Sequence, residues 1–320
     1  MAASLSAAEP GPAVIVVRGA SGADEYGRQF DRWTERWISA AKAGSARVVR
    51  IGPRDEKSGA ETAAGQEPDR ERLKKALAAC ANDDVTELWL VFNGHGTFDG
   101  RSARFNLQGP DVSGEELAEW LQPVACPTAA IHCGASSGPF LKLLAAPHRV
   151  VITATKSGSE LNFARFGEHL SEAVGSPDAD LDKDGQTSLF EAFLAASRRT
   201  NRFYETEGRL ITEHALLDDT GDGSGIRSDQ FRGLRPVPDK DGSIPALSDG
   251  RRAHQFHLVR SREDQQLDPA LRRERDRLEL AVIALRERKG RFASEEEYYA
   301  RLEELLVQLA EAGSRQSAGR

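Results

Sequence analysis

Two side chains in this 320-residue sequence have the types and setting for nucleophilic catalysis. His95 follows the apolar run Leu88-Trp-Leu-Val-Phe92 in Asn93-Gly-His-Gly96, and Cys133 follows Thr128-Ala-Ala-Ile131 in His132-Cys-Gly-Ala-Ser-Ser-Gly138. An isolated thiol, with a pKa of roughly 8.5, is largely protonated at neutral pH, and a nearby imidazole lets it react as the thiolate. The same imidazole then protonates a leaving amine. Gly96 has no Cβ, so its N–H can approach a substrate carbonyl, and with the N–H of Cys133 it would form an oxyanion hole. Taken singly, His-Gly reads as a turn and a strand-end cysteine as a small buried hydrophobe. Their order on consecutive strands is what points to catalysis. His132, the neighbour of Cys133, is expected on the opposite side of the strand.

A second constellation is acidic. Asp180-Leu-Asp182-Lys-Asp184-Gly185-Gln-Thr-Ser-Leu-Phe-Glu191 matches D-x-[DN]-x-[DN]-G-x5-E at every specified position. Oxygens from Asp180, Asp182 and Asp184 would wrap one side of a Ca²⁺, Gly185 would make the sharp turn, and Glu191 would close the sphere with two oxygens. Thr187 stands at the eighth position, where an aliphatic residue is usual, and the loop resembles a single EF-hand or dockerin-type loop. The turn Asp218-Asp-Thr-Gly-Asp222-Gly223 repeats the opening spacing, with Asp229 at its twelfth position. His254 and His257 alternate with apolar neighbours in the manner of a strand and have no third ligand nearby, so zinc is not expected. Ca²⁺ is the one cofactor expected; no organic cofactor is.

These residues must be held by a sheet. From Ala13 the chain repeats a short apolar run followed by a stretch of helical period. The runs are Ala13–Val17, Ala46–Ile51, Leu88–Phe92, Thr128–Ile131 and Arg149–Ala154, with Glu213–Leu217 as a short sixth. Uninterrupted apolar runs belong to strands buried on both faces, hence to a mostly parallel sheet. Helices are expected over Asp24–Ala43, Asp69–Cys80, Gly114–Leu121, Phe163–Val174 and up to Glu205. The fold class is therefore α/β, a three-layer α/β/α sandwich spanning residues 13–220. Residues 1–12 and 313–320 read as disordered, and 221–268 as linker or extension. Residues 269–312 read as a helical hairpin, with Gly290 between two amphipathic stretches and a capping box at Ser294 and Glu297. In a parallel sheet, ligands gather at the carboxyl ends of the strands, which is where His95 and Cys133 fall.

An apolar strand followed by His-Gly, then one followed by a small residue and Cys, resembles the caspase and legumain group of cysteine peptidases. The layout is most similar to the legumain branch, in which Ser-Gly follows the cysteine. The resemblance implies a caspase-like sheet, His95 as general base and acid, Cys133 as nucleophile, and Gly96 and Cys133 as oxyanion donors. Here the turn Cys133-Gly-Ala-Ser-Ser-Gly138 is two residues longer than in the family. After the first strand, Glu25 stands where legumains have the Asn that orients the histidine, and Gly27 where they have the Arg that reads the substrate.

Composition narrows the partners. A formal charge of −7 disfavours nucleic acid and anionic lipid. No stretch approaches the roughly 18 apolar residues that cross a bilayer. Met1–Pro12 lacks signal-peptide character, which gives a cytoplasmic default. Cys80, Cys126 and Cys133 are too few for a disulfide framework, and the first two read as packing residues. Two functions follow as expectations. One is a cysteine endopeptidase with a His95/Cys133 dyad and a calcium loop, acting on a peptide or protein. The other is a calcium-binding pseudopeptidase or scaffold that binds partners without turnover. Self-association or docking through the 269–312 hairpin is expected with either.

Overall fold

Each apolar run becomes a strand, and the helical stretches between them lie against the two faces of the sheet. The structure is a computed structural model, and it describes residues 10–53, 67–82, 84–237 and 249–318. In chain order the elements are β1 (Gly11–Arg18), α1 (Asp24–Ala43), β2 (Arg47–Ile51), α2 (Asp69–Asn82), β3 (Val85–Asn93), β4 (Gly96–Phe98), β5 (Ala103–Phe105) and β6 (Val112–Ser113). Then come α3 (Gly114–Leu121), β7 (Thr128–His132), α4 (Gly138–Leu144), β8 (Arg149–Thr153), α5 (Phe166–Ala173), α6 (Leu189–Thr206) and β9 (Leu216–Asp218). The remainder is β10 (Phe231–Arg232), β11 (Arg235–Pro236), α7 (Arg251–Gln255), α8 (Arg262–Gln265), α9 (Pro269–Glu287) and α10 (Glu295–Ala318).

The main sheet has the order β2-β1-β3-β7-β8-β9. Its first five strands are parallel, and β9 runs antiparallel to β8. Alternation along the strands divides the core in two. Val14, Val16, Trp89, Val91, Ala129, Ile131 and Cys133 face Phe30, Trp33 and Trp37 of α1 together with residues of α5 and α6. Ala13, Ile15, Val17, Leu88, Leu90, Phe92 and Ala130 face residues of α2, α3 and α4. The three-layer α/β sandwich with a mostly parallel sheet is thus the observed architecture.

Local differences from the sequence reading have physical causes. Between β3 and α3 the chain forms a three-stranded antiparallel sheet, β4-β5-β6, whose strands are too short to show a period in sequence. The sixth strand lies one to three residues later than expected, at Leu216–Asp218. His254 sits in helix α7 rather than in a strand: the helix starts after Gly250 and packs Ala253 against the core. Strand β1 begins at Gly11, so Gly11 and Pro12 are ordered in the sheet, while residues 1–9 lie outside the described residues. The 221–268 segment contains the β10-β11 hairpin and α7 and α8 among its described residues. Both tail helices are present, with α10 continuing to Ala318 through part of the stretch read as disordered. Among the described residues no helix is long and apolar enough to cross a membrane.

Candidate functional site at the carboxyl edge of the sheet

Strands β3 and β7 are neighbours, paired from Leu88↔Thr128 to Phe92↔His132, so the turns that follow them lie side by side. His95 stands two residues past the end of β3. Its ring packs edge-on against Tyr26, at 5.1 Å between centroids, and against Phe30 at 5.0 Å, while Tyr26 stacks on Phe163. Its Nε2 lies 3.1 Å from the Ser21 carbonyl oxygen. That carbonyl is fixed by Arg18, the buried last residue of β1, whose guanidinium donates to the Ser21 hydroxyl and to the Gly19 carbonyl and pairs with Asp31. A carbonyl only accepts, so Nε2 carries the proton in this arrangement. Partial burial lowers the pKa of His95, and the Ser21 carbonyl works in the opposite direction. Glu25 is exposed in the first turn of α1, and the group that orients the imidazole is Ser21.

Cys133 is committed to the core. Its N–H donates to the Phe92 carbonyl at 2.9 Å, which extends the β3–β7 ladder by one residue. That donor is therefore committed and does not point at a substrate. Alternation then turns the side chain into the α1/α5/α6 core, where the residue has no solvent exposure. A Cβ added at Gly167 would sit 2.5 Å from the Cys133 Cβ and 2.8 Å from the Trp33 ring, so glycine is what lets α5 close over the thiol. Burial, with the carboxyl of Glu213 second, pushes the thiol well above its ordinary range. Among the described residues no hydrogen bond joins Cys133 to His95.

The position aimed at the His95-Gly96 turn is the next one. A Cβ on Gly134 would lie 2.4 Å from the Gly94 carbonyl oxygen and 3.1 Å from the Gly96 nitrogen, leaving no room for a side chain. The Gly134 N–H donates to Nδ1 of His132. His132 points to the opposite face, among Phe92, Phe105 and Phe140, with Nε2 unpartnered, and burial lowers its pKa to about 3. The rest of the turn, Ala135-Ser-Ser137, is tightly held. Ser136 adopts a left-handed φ of 53°, donates its N–H to the Glu160 carbonyl, and is fully buried with no partner for its hydroxyl. Ser137 exchanges hydrogen bonds with Thr155, two residues past β8.

In the acidic loop the carboxylates of Asp180, Asp182 and Asp184 converge, with one oxygen of each within 4.8 Å of the others. Three hard oxygens at that spacing suit a divalent cation such as Ca²⁺. The loop is shaped by its own backbone: Asp180 accepts from the N–H groups of Lys183 and Gly185, both in left-handed conformations. Glu191 behaves differently from its expected role. Its Oε1 accepts from the N–H groups of Leu181 and Asp182, and its Oε2 from the N–H and hydroxyl of Ser188, the N-cap of α6. It is a buried capping-box residue outside the three-carboxylate group. His254 places Nε2 3.2 Å from Asp182, a contact between α7 and the loop that sequence separation hides.

The second acidic turn closes on itself. Asp218 accepts from the N–H groups of Thr220, Gly221 and Gly223. Asp249 accepts from those of Asp219 and Thr220, and Asp219 from that of Ala253. Burial and the nearby Asp219 charge push the Asp249 carboxyl up to about 8. Glu213 is a further residue that sequence spacing did not single out. It is buried, accepts from the N–H groups of Arg165 and Phe166 and from the Tyr204 hydroxyl, and so fixes the start of the helix that covers Cys133.

No protein-family model matches the chain, and neither does any curated protein sequence. Among solved structures, 28 chains match. The chain is similar to the Drosophila initiator caspase Dronc, with 11% identity, a TM-score of 0.43, and coverage of 68% of this chain and 83% of that one. It is also similar to a structural-genomics protein from Geobacter sulfurreducens, with 12% identity, a TM-score of 0.40, and coverage of 65% of this chain and 93% of that one.

Proposed function

We propose that this chain is a pseudopeptidase: a protein with a caspase- and legumain-like layout that binds protein partners without thiol-dependent turnover. The observation that carries this reading is the burial of Cys133. Its sulfur lies in the core behind α5, its N–H belongs to the β ladder, and the residue facing the His95-Gly96 turn is Gly134, which has no side chain. A nucleophile needs access to substrate and hydrogen-bond reach of its base, and neither is met. The acidic loop is proposed to hold one Ca²⁺ through Asp180, Asp182 and Asp184, with the cation neutralising the carboxylates and steadying the N-terminal turn of α6. Glu191 would join as a ligand only by releasing its capping bonds.

A second reading, the cysteine endopeptidase with His95 as base and acid, Cys133 as nucleophile and Gly96 as oxyanion donor, is favoured by one observation. His95 is partly exposed at the carboxyl edge, directly beside the turn that contains Cys133. Balanced chemistry would be attack of the Cys133 sulfur on the peptide carbonyl, transfer of the thiol proton through His95 to the leaving amine, and hydrolysis of the acyl-enzyme by water. A peptide-library cleavage assay on wild type and Cys133→Ala, with Ca²⁺ and with chelator, separates the two. No cleavage above the level of Cys133→Ala is expected. Hydrolysis lost on Cys133→Ala in a folded variant would overturn the pseudopeptidase and install the dyad.

A further inference from the structure

The tail hairpin carries an open groove between α9 and α10 with a cavity volume of about 840 Å³. Its apolar lining is Ala281, Ala284 and Leu285 from α9, Ala300 and Leu305 from α10, and Phe292 at the turn end, so three of the six positions are alanine. Val307, half exposed, stands seven residues after Ala300 and so extends the same stripe along the outer edge of α10. Small residues allow another helix to approach closely, toward the short end of the usual interaxial range.

The two rims differ in charge. On α9 the groove is bordered by Arg277, which pairs with Glu274, and by Arg288; on α10 it is bordered by Glu297 and by Glu304, which pairs with Arg301, so Arg288 and Glu297 carry the difference between the rims. Along its length α9 is nearly balanced, five arginines against four acidic residues, and its basic excess lies at the turn end, in Arg286, Arg288 and Lys289, the last paired with Glu295; α10 carries Glu295, Glu296, Glu297, Glu303, Glu304 and Glu311 against Arg301 and Arg315. One basic rim and one acidic rim on a single groove are self-complementary. A two-fold axis through the groove lays α9 of one copy on α10 of the other, so that each arginine rim meets a glutamate rim and the alanine floors come together.

The geometry points to a second copy of this chain as the occupant: two hairpins joined face to face through their alanine-floored grooves into a four-helix bundle. This inference does not depend on whether the sheet edge is catalytic. Its test is the mass of the full chain by sedimentation equilibrium up to about 100 μM, a level at which a micromolar dimer is saturated. Wild type is expected to be dimeric. Ala284→Glu puts a charge on a floor that is open in the single chain and closed in the dimer, so it should keep the wild-type circular dichroism and weaken association by at least roughly tenfold. Arg288→Glu should weaken it in the same way, and combining it with Glu297→Arg should restore it, because the two-fold pairing reverses both charges together. A monomeric wild type at the highest concentration would overturn the inference. So would an Ala284→Glu chain that is folded and dimerises like wild type.

Discussion

Cys133→Ser changes one atom and separates a core thiol from a reactive one. In the fold described above the sulfur is enclosed by the α1/α5/α6 core, in contact range of α5 at Gly167 and next to Trp33. A hydroxyl in its place would be a buried polar group with no acceptor among the described residues. Such a group costs about 1–3 kcal/mol, which for a domain of this size lowers Tm by several degrees. Cys133→Ala removes the sulfur without adding polarity and should cost about 1 kcal/mol through lost contacts. Urea unfolding followed by tryptophan fluorescence measures both. In parallel, an aromatic disulfide reagent should leave Cys133 unmodified in native buffer and reach it only as urea opens the fold, because the buried thiol is raised far from its thiolate form. If Cys133→Ser unfolds within about 0.5 kcal/mol of wild type, as substitutions at open positions do, and Cys133 reacts promptly in the native state, the buried-thiol argument fails.

Three other outcomes are expected. His132 is buried neutral with its pKa lowered to about 3; the unfolded chain takes up its proton first, near 6.5, so stability should fall as pH drops from about 6.5 toward 3, and His132→Asn should flatten that slope in urea titrations at stepped pH. Asp249 is raised to about 8, so its ionisation opposes folding as pH climbs from its unfolded value toward 8; Asp249→Asn keeps an acceptor oxygen for the Asp219 and Thr220 N–H groups, and a higher melting temperature at pH 8 but not at pH 4 is the expected result. Saturating Ca²⁺, at about a hundredfold over its Kd, should stabilise by roughly 2.7 kcal/mol; Asp182→Ala should remove that increment, and calorimetric titration showing no uptake at millimolar Ca²⁺ would leave the loop an acidic turn.

The sheet was legible because buried parallel strands write themselves as unbroken apolar runs, and β3, β7 and β8 lie where Leu88–Phe92, Thr128–Ile131 and Arg149–Ala154 place them. The side of the sheet that each strand-end residue faces was harder to read. His132 falls on one face and Cys133 on the other, as alternation requires, but where the alternation continues past the last paired residue depends on a hydrogen bond, Cys133 N–H to Phe92, that sequence does not display. Glu191 illustrates a motif with two physical readings. Three residues after Ser188 it fits a capping box, and at the twelfth position of an acidic loop it fits a cation sphere; the structure puts Oε2 on the capping box and Oε1 on the Leu181 and Asp182 N–H groups. Glu191→Ala should therefore unseat α6 even without a cation, which makes it a poor probe of Ca²⁺. Glu213 and Asp249 were invisible because their partners are backbone N–H groups 48 and 30 residues away.

The short antiparallel strand β9 has a bearing on how copies of this protein avoid one another. An open sheet offers unpaired N–H and C=O groups at each edge, a template for edge-to-edge polymerisation. At β9 the offer is withdrawn: only three residues are extended, Leu217 exchanges both of its outward hydrogen bonds with Ile226, and Asp218 folds its carboxylate back onto the following turn. At the other edge β2 sets Arg47 and Arg50 along its five residues, with Arg50 bound to Asp31 and Glu35 of α1. A foreign strand would have to displace a covalently tethered one on the first side and bury guanidinium groups on the second. Partially unfolded chains that lose the Leu217–Ile226 bridge should accordingly be the aggregating species, and light scattering on mild heating should rise first in variants that shorten or unpin the segment from Asp218 to Ile226.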